Sequence, residues 1–314
     1  MPLAKSEYLS DVWRDGIFND KVVFCTGGSG SICSAQTRAL VHLGANACIV
    51  GRNAEKATSV AADIATARPG AKVLGIGNVD VRDSKSLQDA VGRCVEELGA
   101  IDFVIAGAAG NFLASMEQLS TNAFKSVIDI DVLGSFNTAK ATLPHLTRSA
   151  ERCRSDGKTP SPHGPGGRII FVSATIHYTS LPLQTHVSVA KAGIDALSAS
   201  MAIEYGPFGL TSNVIAPGPI GGTEGMERLA KRESVAEQVR SVPLGRWGHV
   251  KEIADATVWL FSDAGNFVNG AAVVVDGGAW RTHGVNPGSD FKYPDILLQR
   301  AAVSGVKGGK KAKL

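Results

Sequence analysis

A chain of 314 residues is long enough to bury a full core, as one large α/β domain or two ordinary ones. With 44% hydrophobic and 19% charged residues it reads as an ordinary soluble protein, and no apolar run approaches the roughly 20 residues that span a bilayer. The formal charge of +3 includes Lys307, Lys310, Lys311 and Lys313, so the rest of the chain stands at −1 and lacks the basic footprint of a nucleic-acid surface.

Residues 1–19 carry Lys5, Glu7, Asp11, Arg14 and Asp15, which is not the pattern of a signal peptide. They are expected to form an extension ahead of a single domain over 20–280. Val22-Val23-Phe24-Cys25 is an apolar run with β-branched residues, the signature of a buried strand. A Gly/Ser turn follows, then an amphipathic segment over 35–43 with Ala35, Ala39 and Leu43 at helical spacing. Further strands are expected at 45–50, 73–79, 101–106, 168–173, 211–216 and 271–275. Helices are expected at 53–67, 84–98, 123–146, 187–205 and 253–262. Repeated βα units with near-continuous apolar strands imply a doubly wound parallel sheet of about seven strands, a Rossmann-type α/β fold with helices on both faces. The stretch 149–167 is rich in proline and glycine and is expected to be a surface insertion.

The five cysteines at 25, 33, 48, 94 and 153 are odd in number and scattered. No CxxC or His/Cys cluster suggests a metal, so reduced core thiols are expected.

Strand, glycine turn and helix together present backbone N–H groups and a positive helix end to a phosphate. Gly27, Gly28, Ser29, Gly30, Ser31 and Ile32 are therefore candidates for binding a dinucleotide pyrophosphate. The pattern is imperfect, because a G-x-x-x-G-x-G repeat would place glycine at 31 and 33, where the chain has Ser31 and Cys33. At the end of the second strand stands Gly51-Arg52-Asn53. An acidic residue there would bind the 2′-hydroxyl of NAD, whereas Arg52 suits the 2′-phosphate of NADP, so NADPH is the expected cofactor. Asp80 after the third strand is placed to accept from the adenine amino group. The small residues around Ala108 let a flat cofactor lie against the backbone.

These motifs, with Ala190-Lys191, Pro217-Gly218-Pro219-Ile220 and Val275-Asp276-Gly277-Gly278, stand in the order found in short-chain dehydrogenases/reductases. The chain resembles that family over about 20–280. The family pattern has a catalytic tyrosine four residues before the lysine; here that position is Val187. Its serine position falls at Ala174, beside Ser173, and its asparagine position at Asp131. Valine donates no proton, so tyrosine-assisted carbonyl reduction is not available in its usual form. Either the site is a silent cofactor binder, or it reduces something that needs no such donor.

Gly110-Asn111-Phe112, Asn122-Ala123-Phe124-Lys125, Asp129-Ile130-Asp131 and Thr223-Glu224-Gly225 are similar to the peroxisomal 2,4-dienoyl-CoA reductase branch of the family. That resemblance implies NADPH-dependent reduction of 2,4-dienoyl-CoA to trans-3-enoyl-CoA in β-oxidation of unsaturated fatty acids, with Asp131 and Lys191 as the catalytic pair. It implies acyl-CoA contacts from Arg52, Arg82, Phe112, Ser120, Thr121, Asn122 and Arg228. Asn53, Pro217, Gly218, Ile220, Thr223 and Lys191 join the expected cofactor set. A homodimer or homotetramer is implied, with contacts through the long helices after the fourth and fifth strands. His186 is read as a structural neighbour of the site. Residues 281–314 are expected to be an extension ending in Ala312-Lys313-Leu314, a small–basic–leucine tripeptide like the peroxisomal address read by an import receptor.

Overall fold

The structure, a computed structural model, describes residues 4–159, 161–229, 239, 242–282 and 298–299, with the side chains of 227–229 excepted. The expected tail signal and most of the C-terminal extension lie outside the described residues.

Seven strands form one parallel sheet: β1 (Val22–Thr26), β2 (Asn46–Val50), β3 (Val73–Ile76), β4 (Phe103–Ala106), β5 (Arg168–Val172), β6 (Thr211–Pro217) and β7 (Ala272–Val275). Their order is β3-β2-β1-β4-β5-β6-β7. Val23 lies opposite Ala47 on one side and Phe103 on the other, so β1 is central and the winding reverses between β1 and β4. A crevice opens at such a reversal, outside the carboxyl ends of the strands.

Both faces of the strands are apolar because both are covered. Val23, Cys25 and Ile105 face α1 (Ser31–His42), α2 (Ala54–Ala65) and, near the carboxyl-terminal end of the fold, α9 (Val250–Phe261). Phe24, Val104 and Phe171 face α3 (Ser84–Leu98), α5 (Gly134–Arg152) and α7 (Thr185–Tyr205). Phe103 stacks on Phe261 with centroids 4.7 Å apart, both fully buried. Burying each such ring contributes about 1.5–3 kcal/mol. All five cysteines are free and buried.

Three boundaries differ from expectation for physical reasons. The stretch expected as one helix over 123–146 is α4 (Thr121–Ile128), a π-helical turn (Asp129–Leu133) and α5. The wider π turn departs from 3.6 residues per turn, a device frequent at functional sites. It buries Asp131 completely. Strand β3 stops at Ile76 because Asn78, at φ +57°, turns the chain through the left-handed region. Helix α1 starts at Ser31, four residues earlier than its apolar spacing showed.

The first residues also join the core. Tyr8, Leu9 and Phe18 are buried, and the carboxylate of Asp255 on α9 accepts from Ser10 and from the Trp13 indole N–H at 2.9 Å. The stretch expected as an insertion is tied down at both ends: α5 runs to Arg152, and Gly167, at φ +65°, lies where a Cβ would strike Ala150.

Candidate functional site

The Gly/Ser turn joins β1 to α1 at the crevice. Gly27 has φ +66°, and a Cβ there would lie 2.7 Å from the Gly107 carbonyl. A Cβ on Gly28 would lie 2.5 Å from Ile49. Ser31, Ile32 and Cys33 form the first turn of α1, whose N–H groups have no intrahelical acceptor. The departures from glycine are accommodated. Cys33 is buried against Gly107, where a Cβ would stand 2.2 Å from the Cys33 sulfur. The side chain gained at position 33 is thus offset by the one missing at position 107. Gly107→Ala should cost about 1–3 kcal/mol by overpacking. Adding Cys33→Gly to it should recover part of that loss, as read by denaturant midpoints.

The Ser31 hydroxyl accepts from the Glu224 N–H at 3.4 Å, which draws α8 (Glu224–Leu229) over the turn. Lys56 on α2 pairs with Glu224 from the other side. Thr223, a cofactor candidate, donates to the Ile220 carbonyl at 2.9 Å and accepts from the Met226 N–H at 3.3 Å. Its hydroxyl therefore serves the start of α8. The Gly218 backbone lies against Asp276, where a Cβ would come within 2.4 Å. Ile220 is buried and pairs with Gly248. Ala108 is half-buried, beside Gly27.

Arg52 is exposed at the end of β2. Asn53 is also exposed, and its side chain caps α2 by accepting from the Lys56 N–H at 2.8 Å. Asp80 holds the Arg82 guanidinium through Nε at 2.9 Å and Nη2 at 2.5 Å. Arg82 keeps the Asp80 carboxyl down at about 2. The structure thus joins two residues that the sequence assigned separately to cofactor and substrate. Ser120 caps α4 by accepting from the Ala123 N–H at 3.2 Å, with Thr121 and Asn122 exposed in its first turn. Arg228 lies in α8, and its side chain is outside the described residues.

The catalytic candidates meet deeper in the crevice. Lys191 Nζ is 3.0 Å from Asp131 Oδ2, with side chains 7% and 0% exposed. It donates to the Val172 carbonyl at 3.1 Å. Asp131 Oδ1 accepts from the Gly110 N–H at 2.7 Å. The approach of Lys191 to Oδ2 is off the line of a hydrogen bond, so Oδ2 keeps accepting capacity. The pair is pinned by backbone from the ends of β4 and β5, a preorganised charge in a nearly water-free place.

Val187 packs beside this pair, in an apolar cluster with Val127, Ala190 and Phe112. The tyrosine position is thus filled by hydrocarbon. His186 is fully buried, stacks on Phe112 with centroids 4.1 Å apart and bonds the Phe112 carbonyl at 3.0 Å. Burial holds its imidazole below the usual range, so it is neutral at pH 7 and acts as a brace for Phe112.

Sequence reasoning missed Asp195, His177 and Tyr178. Asp195 sits four residues after Lys191 on α7, a helical spacing that would have placed it on the same face. The pairing of His177 and Tyr178 with it has no local signal.

Residues 27–279 match the family model described as enoyl-(acyl carrier protein) reductase. The chain is 48% identical over 288 residues to peroxisomal 2,4-dienoyl-CoA reductase SPS19 [(3E)-enoyl-CoA-producing] of Saccharomyces cerevisiae, covering 91% of this chain and 92% of that one. It is 38% identical to the peroxisomal 2,4-dienoyl-CoA reductase of Danio rerio, over 86% and 85%. A solved short chain dehydrogenase of Bacillus anthracis superposes with a TM-score of 0.72 at 33% identity, covering 83% of this chain and 97% of that one. The chain belongs to the short-chain dehydrogenase/reductase family. The fold of that family takes a nicotinamide dinucleotide, NAD or NADP. The residues here fit one: two glycines permit close backbone approach, the first N–H groups of α1 are left without intrahelical acceptors, and Arg52 stands exposed at the end of β2. Among the described residues no group of His, Cys, Asp and Glu is arranged to hold a metal ion. No described helix is long and apolar enough to cross a membrane.

Proposed function

We propose that this chain is an NADPH-dependent 2,4-dienoyl-CoA reductase acting in the β-oxidation of unsaturated fatty acids. The observation that carries the reading is the buried Asp131–Lys191 pair beside Val187. A carbonyl reductase needs a proton donor where Val187 stands. A conjugated dienoyl thioester does not, because its negative charge develops on the thioester oxygen rather than on an alkoxide. The relatives at 48% and 38% identity, both named for this activity, support the same substrate.

Bound NADPH supplies a hydride to C5 of the diene. The resulting dienolate takes a proton at C2, leaving a 3-enoyl thioester. Asp131 Oδ2 and the Lys191 ammonium orient the water that delivers this proton, and solvent replaces it. Lys191 also binds the nicotinamide ribose and turns its ammonium charge toward the oxyanion as it forms. Pro217, Gly218 and Ile220 shape the nicotinamide pocket. Gly27 to Ile32 hold the phosphates, Arg52 and Asn53 the 2′-phosphate, and Asp80 the adenine. Phe112, braced by His186, lines the diene slot. Arg82, Arg228, Ser120, Thr121 and Asn122 serve the CoA moiety.

The test follows NADPH absorbance with 2,4-hexadienoyl-CoA, a 2-enoyl-CoA, a simple ketone and NADH as comparison. Turnover confined to the dienoyl thioester with NADPH, and a 3-enoyl product, is expected. Turnover of the 2-enoyl-CoA or ketone alone would mark a different reductase. No turnover of any would leave a non-catalytic NADP binder.

We further place the enzyme in the peroxisome as a homo-oligomer. The exposed Phe136 on α5 and Val189 and Ile203 on α7 suit a contact between copies. The relatives' names and the Ala312-Lys313-Leu314 terminus support the address. Deleting these three residues should leave turnover intact and make a fluorescently tagged chain cytosolic. Continued import would sink the address.

A further inference from the structure

Asp195 lies one helical turn beyond Lys191 on α7 and takes no part in the chemistry above. Its Oδ2 accepts from the Tyr178 hydroxyl at 2.5 Å and lies 2.8 Å from His177 Nε2. Both partners come from α6 (Ile176–Thr179), a single turn just after β5. Burial pushes the Asp195 carboxyl up, but the hydrogen bonds from His177 and Tyr178 outweigh it, so the group stays charged and accepting. Burial and the neighbouring carboxylate push the Tyr178 phenol up, which keeps it a donor. Asp195 thus fixes the Tyr178 ring at both ends: hydroxyl on the carboxylate, body against the His177 ring 3.9 Å away.

The fixed ring meets Trp280, with centroids 5.5 Å apart. Trp280 follows β7, and its N–H donates to Asp276 at 2.7 Å. The Arg281 guanidinium lies 3.8 Å from the Trp280 centroid. Side chains from beyond β5 and beyond β7 therefore meet across the carboxyl end of β6. There the Thr175 N–H donates to the Pro217 carbonyl at 3.2 Å. The three sites lie in a line across the sheet. Arg82 follows β3 at one edge, the Asp131–Lys191 pair is pinned at β4 and β5, and the aromatic pair closes β5 to β7. Strand spacing of about 4.8 Å puts β7 about 14 Å from β4. A thioester with its CoA over the β3 side and its diene at Asp131 sends the rest of its acyl chain toward that pair.

We propose that Tyr178 and Trp280 form the wall for the acyl chain beyond the diene, and that Asp195 is a positioning residue that fixes this wall. The inference rests on the dienoyl-CoA reading. Half-exposed aromatic rings held by polar tethers offer an apolar chain a surface that is already ordered, so chain binding costs little reorganisation.

The experiment compares 2,4-hexadienoyl-CoA with 2,4-decadienoyl-CoA, the short substrate ending before the wall and the long one reaching it. Trp280→Ala and Asp195→Ala should each lower the preference for the longer chain, read as the ratio of kcat/KM values, by about tenfold, through KM rather than kcat. Trp280→Phe should restore it, and Tyr178→Phe, which keeps the ring and loses the tether, should fall between. Thermal melts identify any variant that fails to fold, and Trp280→Phe then carries the comparison with Tyr178→Phe. An unchanged ratio in Trp280→Ala, or a loss in kcat equal for both chain lengths, would overturn the wall. If the wild-type enzyme reduces neither thioester, the dienoyl-CoA reading itself is what has failed, and the wall falls with it.

Discussion

Asp131→Asn should lower kcat for a 2,4-dienoyl-CoA by about 10²- to 10⁴-fold, the usual range for loss of a positioned proton-transfer group. NADPH affinity, read by fluorescence, should change little. The asparagine keeps an oxygen for the Gly110 N–H, so the bond that pins the side chain to the end of β4 survives. It removes the charge that balances Lys191 and the lone pairs on Oδ2 that are proposed to orient the water. The alanine variant is a poorer probe. Removing one partner of a buried ion pair leaves the other uncompensated, at a cost of about 3–5 kcal/mol. At 0% and 7% exposure, solvent does not screen this pair. If Asp131→Asn loses cofactor affinity and turnover in proportion, the carboxylate is structural, and the proton reaches C2 by another route.

Arg52→Ala should reduce kcat/KM for NADPH by about 10- to 150-fold, with kcat/KM for NADH nearly unchanged. A hydrogen bond to a charged group contributes about 1.5–3 kcal/mol, and each 1.4 kcal/mol is a factor of ten. Arg52 is exposed at the mouth of the crevice, so the substitution leaves the core untouched. Arg82 is already paired with Asp80, so Arg52 is the cation proposed for the 2′-phosphate. Equal losses with both cofactors would move Arg52 from the dinucleotide to the CoA moiety.

Much of the fold is visible in the linear pattern. Apolar runs such as Val22–Cys25 and Val104–Ala106 are strands covered on both faces, and parallel sheets leave that mark because their crossovers are helices. The glycine turn is legible for a similar reason: only glycine tolerates the φ of Gly27 and the nearness of Ile49 to Gly28. The absence of tyrosine at Val187 is a sequence fact, and it alone removes the usual carbonyl chemistry.

Other features depend on residues far apart in the chain. The Asp131 carboxylate reaches Lys191 because a π turn replaces one turn of helix, and no propensity scale marks that turn. Cys33 fits only because Gly107, 74 positions later, gives up its side-chain volume. Asp195 gains its partners from a single helical turn after β5, and Tyr178 meets Trp280 across the end of β6. The sequence by itself determined the doubly wound sheet, the dinucleotide crevice and the loss of the tyrosine, since these follow from local periodicity and residue identity. Tertiary structure decided which charges face each other, which glycine makes room for which side chain, and which aromatic rings meet at the end of β6, because distance between side chains exists only once the strands are laid side by side.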